Sequence, residues 1–304
     1  MAACSPGSTT SASPARPAFR TEPPMSANRS ERVSPTAYAT GYLWYRHGLS
    51  DKALVTPQGK RLDRAFRGFI AATRLLSGIS LDAMMLARHK GIDAVLMRAI
   101  DAGEVTQVIE IAAGLSARGW RMRQRYGDRI TYIETDLPAM AATKRTLLEN
   151  ARLLGPRHQV RVLDALANEG PTSLAAIAAT LDPKQGTAII TEGLMNYLAP
   201  AQANSVWQRI AHTLKQFPHG VYLADVYFAP EQRSAAMLAF GAILQVFVRG
   251  RMHVHFDTPK DARERMTHDG FKKAQVHRTR DIPATQAISK TSGADRVSVL
   301  EARM

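Results

Sequence analysis

The stretch VIEIAAGLSARG, residues Val108–Gly119, decides the fold of this chain. It overlaps a short apolar run, Thr106–Ile111, that is typical of a buried strand, and continues into the small residues Ala112–Gly114. The residues that follow, Arg118–Arg125, have the pattern of a helix. A strand, a turn of small residues and a helix in this order are typical of a domain that binds a nucleotide-like ligand at the carboxyl end of the strand.

Strands and helices alternate along the rest of the chain. Further strands are predicted at Ile130–Ile133, Val160–Leu163, Ala188–Thr191 and Gly220–Tyr227, with a closing pair at Lys273–His277 and Val297–Glu301. Helices are predicted at Leu81–His89, Ile92–Ile100, Pro138 to about Leu154, Thr172–Leu181 and Pro200–Phe217. Ser80 is the expected N-cap of the first, and Gly91 should separate or bend the first two. This alternation predicts an α/β fold with a doubly wound, mainly parallel sheet.

Composition places the chain among ordinary globular proteins. Of its 304 residues 45% are hydrophobic, and a single cysteine, Cys4, excludes an intramolecular disulfide and favours a cytoplasmic location. Residues 1–33 are rich in Ser, Thr, Pro and Ala, so we expect a disordered basic tail there. Residues 34–304 then form a single domain with an inserted helical cap at about 229–272. The longest apolar run, Ala235–Val248, lies in that cap and is too short to span a bilayer.

The chain is strongly basic, with 40 Lys and Arg against 26 Asp and Glu and a formal net charge of +14. A nucleic-acid partner would account for this excess, but the sequence has no long run of consecutive basic residues. Steering of an anionic small molecule accounts for it at least as well. We therefore expect a small-molecule partner and keep nucleic-acid binding as the less favoured alternative.

Small or acidic residues stand at the ends of successive predicted strands, namely Gly114, Asp136, Asp164 and Glu192. Because the carboxyl ends of parallel strands meet at one edge of a sheet, these positions predict a ligand site there. Asp136 can accept both hydroxyl protons of a ribose or, alternatively, cap the helix that starts at Pro138. The turn lacks the G-x-G-x-x-G pattern that a dinucleotide pyrophosphate needs, which favours S-adenosylmethionine, a ligand without phosphates, over a nicotinamide cofactor.

Two further charged side chains are candidates for this site. Glu110 lies near the end of a central strand, where an unpaired carboxylate would be costly, so it needs an ammonium group or a backbone turn against it. Arg88 can bind the carboxylate of a methionyl group; the alternative is a surface arginine.

Histidines are concentrated near the C-terminus, at His253, His255, His268 and His277. His253 and His255 would share one face of a strand, yet the spacing is not that of a zinc site. We predict no metal here, and a basic flank beside the acceptor pocket.

Several segments together resemble the leucine carboxyl methyltransferase family, in particular its bacterial branch of S-adenosylmethionine-dependent O-methyltransferases. The matching segments are SPTAYATGYLWYRHGLS (34–50), ARHKGIDAVL (87–96), VIEIAAGLSARGWRM (108–122), YIETDLP (132–138), VLDAL (162–166) and TEGLMNYL (191–198). The resemblance implies a Rossmann-like class I methyltransferase fold with a helical N-terminal segment. It also implies S-adenosyl-L-methionine as cofactor and methyl transfer to a carboxyl or hydroxyl oxygen.

The family's site residues carry over to matching positions of this chain. The resemblance implies these cofactor-binding residues: Arg88 for the methionyl carboxylate, Gly114 in the turn, Asp136 for the ribose, Asp164 with Ala165 beside the adenine, and Glu192 in the fourth-strand motif. Tyr197 matches a tyrosine near the transferred methyl group. From the aromatic N-terminal segment we add Tyr42, Tyr45 and Arg46 as acceptor-side candidates; the alternative for these three is packing of that segment over the sheet.

The chain departs from the family at the turn and at the acceptor side. The family turn often reads G-A-G-x-D-T, but Ala112 stands at the first glycine and Ser116 at the aspartate. Leu166 replaces one of the basic groups that recognise a peptide carboxylate. This favours a small-molecule acceptor, anionic or polyketide-like, over a protein C-terminus. The alternatives are an RNA-modifying or RNA-binding protein and a non-catalytic, degenerate methyltransferase fold.

Overall fold

The computed structural model describes Met1 and residues 27–232 and 252–304. Its centre is a seven-stranded sheet in the order β3-β2-β1-β4-β5-β7-β6. The strands are β1 (Gln107–Ile111), β2 (Thr131–Asp136), β3 (His158–Val162), β4 (Thr187–Thr191), β5 (Gly220–Val226), β6 (Lys273–Arg278) and β7 (Ser298–Arg303). Strands β1 to β5 run parallel, and β7 lies antiparallel between β5 and β6. The strand order reverses between β1 and β4, which is where ligands bind in open sheets of this kind.

Helices flank the sheet and precede it. Up to β5 these are α1 (Ala27–Arg46), α2 (Pro57–Ser77), α3 (Leu81–Asp101), α4 (Arg118–Tyr126), α5 (Pro138–Asn150), α6 (Leu174–Ala178) and α7 (Pro200–Leu214). Further α-helices after β5 lie at Ala229–Gln232, Pro259–His268 and Gln286–Ser289. The predicted doubly wound, mainly parallel α/β fold is confirmed.

Both faces of the sheet are buried, which explains why most side chains of its central strands are apolar. Successive side chains of a strand point to opposite faces. On β1, Ile109 and Ile111 join the core formed with α6 and α7, and Val108 joins the core formed with α3 and α4. The result is a three-layer domain with the carboxyl ends of the parallel strands at one edge.

The structure corrects the prediction of a break at Gly91. Helix α3 runs without interruption from Leu81 to Asp101, and Ser80 caps it as predicted, accepting a hydrogen bond from the amide of Ala83 at 3.3 Å. A Cβ at Gly91 would lie 2.9 Å from Cγ2 of Val299 on β7. The glycine therefore allows the close approach of α3 to the sheet, instead of bending the helix.

The predicted helix over Thr172–Leu181, with Thr172 as its expected N-cap, is wrong at both ends. The helix spans Leu174–Ala178, and its N-cap is Ser173, whose hydroxyl accepts from the amide of Ala176 at 3.2 Å. Since serine and threonine have the same capping chemistry, the sequence alone does not decide which of the two adjacent residues caps the helix.

The N-terminal tail and the cap are described only in part. Helix α1 begins at Ala27, within the segment expected to be a tail, while residues 2–26 lie outside the described residues. The apolar run Ala235–Val248 of the expected cap also lies outside them, since the structure does not describe residues 233–251. Among the residues it does describe, no helix has the length and apolarity needed to cross a bilayer.

A buried ion cluster fixes α4, α5 and β3 against β2. Nζ of Lys144 lies 3.0 Å from Oε1 of Glu134, and Nε2 of His158 lies 3.3 Å from Oε2. Burial alone would raise the pKa of Glu134, but Lys144 and His158 together lower it to about 2. A Cβ at Gly119 would lie 2.8 Å from the same carboxylate, so this glycine lets α4 start directly over β2.

Candidate functional site

The turn after β1 is tied to the end of β2 through Asp136. The amide of Gly114 donates to Oδ2 of Asp136 at 2.8 Å, and the amide of Leu137 donates to Oδ1 at 2.8 Å. The N-cap of α5 is Leu137, so the alternative that Asp136 caps this helix is wrong. Burial raises the pKa of Asp136, and the two amide donors oppose that rise. The structure thus brings together Gly114 and Asp136, two of the predicted cofactor residues.

Ala112 has a backbone conformation that usually requires glycine. Its φ is +55°, close to the φ of +50° at Gly114, and it stands where the family often has its first glycine. For a residue with a Cβ, this left-handed region costs roughly 1–2 kcal/mol. The backbone at Ala112 is therefore left-handed, as expected for the glycine that the family often has at this position, although the residue here is an alanine.

Helix α1 lies over this turn. A Cβ at Gly114 would be 3.2 Å from Cβ of Ala37, and a Cβ at Gly41 would be 2.6 Å from Cβ of Leu115. Gly41 is thus needed for the close approach of α1 to the glycine turn. The aromatic N-terminal segment therefore packs over the turn that contains Gly114.

Arg88 and Glu192, predicted separately, form an ion pair at the same edge. Nε of Arg88 lies 2.9 Å from Oε1 of Glu192, and Nη1 lies 3.5 Å from Oδ2 of Asp225 and 3.3 Å from the hydroxyl of Tyr227. Within the described ranges, no hydrogen bond is recorded for Nη2. A Cβ at Gly193 would lie 3.3 Å from both Nη atoms, so the glycine leaves room beside the guanidinium.

Beneath this pair, Arg118 is the cation that Glu110 needs. Its side chain is fully buried and donates to Asp93 at 2.6 Å, to Glu110 and to Glu192. The other oxygen of Glu110 accepts from the hydroxyl of Tyr132 at 2.6 Å. The carboxylate of Glu110 is therefore satisfied inside the protein, where it anchors the start of α4 to β1.

His89 completes the buried network. Its Nδ1 lies 2.8 Å from Oε2 of Glu192 and 2.9 Å from Nη2 of Arg118, and its Nε2 lies 2.5 Å from Nη2 of Arg121. Because an arginine can only donate, Nε2 accepts from Arg121, and the ring is neutral. Burial lowers the pKa of His89, in agreement with that form. Trp44 of α1 stacks on the ring at 4.2 Å between centroids.

Asp164 and Ala165 follow β3 as predicted. Oδ1 of Asp164 accepts from the amide of Leu166 at 2.9 Å, and the carbonyl of Ala165 accepts from Arg209 at 2.6 Å. Both predicted residues are half-buried. Since β3, β2, β1 and β4 are neighbours in the sheet, this loop lies at the same edge as Asp136 and Glu192.

Tyr197 lies near Arg88, in the segment that follows β4. It ends a short 3-10 helix, Met195–Tyr197, that follows β4. Burial raises the pKa of its phenol, Arg88 opposes the rise and Asp225 adds to it. The tyrosine is thus close enough to Arg88 and Asp225 to interact with both charges.

The N-terminal acceptor candidates have other partners. Nε of Arg46 lies 3.1 Å from Asp63 and Nη2 lies 3.2 Å from Asp82, so this guanidinium joins α1 to α2 and α3. Tyr42 is half-buried, and its ring centroid is 5.9 Å from that of Tyr45, which is 40% exposed. These contacts favour the packing alternative, and an acceptor-side role for the three residues stays a prediction.

A small pocket opens beside Tyr197 at the carboxyl ends of β4 and β5. Its lining is largely apolar and aromatic, with one carboxylate and one imidazole: Met195, Asn196, Trp207, Ala224, Asp225, Val226, Tyr227, His255, Phe256 and Leu300. Of the other clustered histidines, His277 pairs with Glu301 at 2.6 Å and His268 contacts Asp269 at 3.4 Å. Among the described residues, no group of three or more metal-ligating side chains is found.

Sequence reasoning missed several residues of this site. The sequence pattern identifies Arg118 only as the start of a helix, although the need of Glu110 for a cation is a signal for it. Asp225 and Tyr227 end the predicted fifth strand, and an acid at a strand end is the signal used for Asp136 and Glu192.

Solved structures share this fold. The chain superposes on a proposed methyltransferase from Thermobifida fusca with a TM-score of 0.61 at 14% identity, covering 91% of this chain and 97% of that one. A DUF574 family protein from Streptomyces avermitilis gives a TM-score of 0.60 at 13% identity, covering 90% and 99%. Likeness at these identities shows the Rossmann-like fold alone.

Two relatives by sequence share the same description as methyltransferases. A proposed S-adenosyl-L-methionine-dependent methyltransferase from Mycolicibacterium gilvum is 33% identical over 151 residues, which cover 50% of this chain and 46% of the relative. A protein of the same description from Frankia alni is 31% identical over 169 residues, covering 54% and 58%. The chain thus spans about half the length of the curated relatives it matches. Residues 51–211, more than half of the chain, match the leucine carboxyl methyltransferase family, and the chain belongs to this family.

Proposed function

We propose that this protein binds S-adenosylmethionine at the carboxyl ends of β1 to β4 and transfers its methyl group to an oxygen of a small molecule. The observation that carries the proposal is the position of Arg88. Its guanidinium is held by Glu192 and Asp225, and Gly193, where a Cβ would lie 3.3 Å from both Nη atoms, leaves room beside it. A guanidinium in this position suits a carboxylate ligand, because Nη2 can donate a charge-assisted hydrogen bond to it.

The remaining donor set fits the same ligand. Asp136 is half-buried and fixed by two amides, with lone pairs left for ribose hydroxyls. Asp164 follows β3, the next strand of the sheet, and is the proposed partner of the adenine. The turn offers no row of glycine amides for phosphates, which the proposed ligand does not contain. Family membership and the methyltransferase relatives support the same assignment.

The bound ligand would supply a methyl group on a positively charged sulfur. This chain's own contribution is to bind the two ends of that ligand and to hold an acceptor oxygen in line with the methyl group. The carboxylates of Glu192 and Asp225 favour a cation near them, and aromatic rings such as that of Tyr197 stabilise positive charge at their faces.

Calorimetry tests the proposal directly. Wild type is titrated with S-adenosylmethionine and with NADH, and Asp136→Ala and Asp136→Asn are compared with Asp128→Ala, which removes an exposed carboxylate. We expect S-adenosylmethionine to bind and NADH not to bind. Loss of hydrogen bonds to a charged group costs about 1.5–3 kcal/mol, so the Asp136 variants should bind roughly ten- to a hundredfold more weakly. A wild type that binds no S-adenosylmethionine would leave a non-catalytic fold as the answer.

A further inference from the structure

The turn after β3 is held by one arginine of helix α7. Nη2 of Arg209 donates to the carbonyl of Ala165 at 2.6 Å, and Nη1 donates to Oδ1 of Asn168 at 2.6 Å. Both acceptors belong to the turn that begins at Asp164. The planar guanidinium of Arg209 thus bridges two points of this turn with a fixed geometry, which a single ammonium group does not reproduce.

The guanidinium of Arg209 is itself oriented by its own helix. Nη1 also donates to the hydroxyl of Ser205, one turn earlier in α7, at 2.8 Å. The neighbouring residues Val206 and Ile210 are buried in the core that α7 forms with the sheet. The two bonds from Arg209 therefore attach the turn after β3 to a helix that the core holds in place.

The surroundings of Arg209 differ from those of an ordinary surface arginine. The residue is half-buried, and the three oxygens to which it donates are uncharged. Burial lowers the pKa of its guanidinium, and the nearby charge of Asp164 opposes that shift. Partial removal of a cation from water costs free energy, which an arginine avoids by extending its head group into the solvent. Arg209 instead directs its donors at the turn.

The turn has its own hydrogen bonds, but these are local. Oδ1 of Asp164 accepts from the amide of Leu166 at 2.9 Å, and the carbonyl of Asp164 accepts from the amide of Ala167 at 3.0 Å. Ala165 and Ala167 contribute only methyl groups as side chains. Without Arg209 the turn would keep these local bonds and lose its attachment to α7, so the carboxylate of Asp164 would be held less firmly.

The second oxygen of Asp164 is free to bind a ligand. Within the part of the chain that the structure describes, Oδ2 of Asp164 receives no hydrogen bond, whereas Oδ1 binds the amide of Leu166. A carboxylate oxygen only accepts, so it favours the exocyclic amine of adenine over a carbonyl oxygen at the same position of the ring. Hydrogen bonds weaken steeply when their geometry departs from the preferred range, so this selection depends on where the carboxylate lies.

We propose that Arg209 is a positioning residue for the base of the bound ligand, and that it sets the preference for an amino purine over an oxo purine by fixing the turn that carries Asp164. This assignment rests on the proposed function, and Arg209 acts through the turn without contacting the ligand. Arg209→Met removes both bonds to the turn and leaves an unbranched side chain. A hydrogen bond to a charged acceptor is worth about a factor of ten or more in affinity, so the preference should fall about tenfold.

Calorimetry with two ligands tests this assignment: S-adenosylhomocysteine, and S-inosylhomocysteine, in which a carbonyl replaces the amine of the base. Wild type should bind the adenine ligand about tenfold more tightly or better, and Arg209→Met should lose most of this preference. Binding of S-inosylhomocysteine by Arg209→Met with the affinity of wild type shows that the variant is folded. Arg161→Met is the matched control, because Arg161 donates to Gln159 and Thr180 and not to the turn. It should keep the full preference.

The outcomes separate a positioning role from a structural one. Arg209→Lys keeps the charge without the planar fork, so it should lose the preference as Arg209→Met does. Full preference in either variant, an equal loss of affinity for both ligands in Arg209→Met, or a wild type that binds both ligands equally overturns the assignment of Arg209 alone. A wild type that binds neither ligand overturns the proposed function, and this assignment with it.

Discussion

Replacement of Arg118 by methionine tests whether one guanidinium keeps the interior of this site folded. The side chain is 0% exposed, and its donors reach Asp93, Glu110 and Glu192, which stay buried when it is removed. Breaking a buried ion pair by removing one partner costs about 3–5 kcal/mol, because the other charge remains without its counter-ion. Since domains are stable by only about 5–15 kcal/mol, Arg118→Met should lose a large part of the free energy of unfolding.

The size of this loss depends on Glu110 in particular. Its two neighbouring carboxylates each keep another cation, whereas Glu110 keeps the neutral hydroxyl of Tyr132. Removing the charge as well, in the double variant Arg118→Met/Glu110→Gln, should therefore recover roughly 1–3 kcal/mol of the loss. A double variant that loses the sum of the two single effects would show that the two residues do not depend on each other.

Urea unfolding followed by far-ultraviolet circular dichroism measures all of these differences. Arg121→Met is the matched control, since its side chain is 19% exposed and pairs with Asp93 at the edge of the same network. We expect the free energy of unfolding to fall less than half as much in this control as in Arg118→Met. A loss of less than about 1 kcal/mol in Arg118→Met would refute the reasoning, because it would mean that water reaches the three carboxylates freely.

Further stability predictions concern single positions. Ala112→Gly should gain about 0.5–1 kcal/mol, since relief of left-handed strain exceeds the backbone entropy that glycine costs; a lower urea midpoint would contradict this. Gly91→Ala should be destabilised. Overpacking of the new methyl group against Val299 costs roughly 1–3 kcal/mol, which exceeds the gain of about 1 kcal/mol in helix propensity. Gly68→Ala, in open space, should be stabilised instead, and equal effects at both glycines would refute the packing argument. The pKa of Glu134 in the folded protein lies below its value in the unfolded chain. The free energy of unfolding of wild type should therefore fall as the pH is lowered from about 4.5 to 2, and Glu134→Gln should not show this fall. Parallel pH curves for the two proteins would contradict that assignment.

Local patterns in the sequence predict the strands of the sheet and the residues at their carboxyl ends. The apolar runs predicted each parallel strand to within about three residues at each end, and the topology then placed Asp136, Asp164 and Glu192 at one edge. This works because a strand's exit residue is set by where its apolar run stops. The tie between Gly114 and Asp136 follows from the same geometry, since their strands are neighbours.

Partners that come from distant segments could not be predicted in this way. Arg118 looks like an ordinary basic residue at a helix start, and it is buried because carboxylates from α3, β1 and the end of β4 surround it. Gly91 has the sequence signature of a helix break, yet its function depends on Val299, far along the chain. Nε2 of His255 lies 2.8 Å from the carbonyl oxygen of Met195, which belongs to another segment. In each case the deciding contact is formed only in the folded protein.

Glu192 connects Arg88, at the edge of the sheet, with the buried network of Arg118 and His89. One of its oxygens holds Arg88, which faces the proposed ligand, and the other faces Arg118 and His89 in the interior. The position of the ligand-facing guanidinium is thus set by the protein core, not by a loop. A guanidinium held in this way loses little freedom when a carboxylate binds, which is how preorganisation increases affinity. The same dependence predicts that Arg118→Met weakens binding of the proposed ligand through Glu192 and Arg88, which calorimetry with S-adenosylmethionine measures.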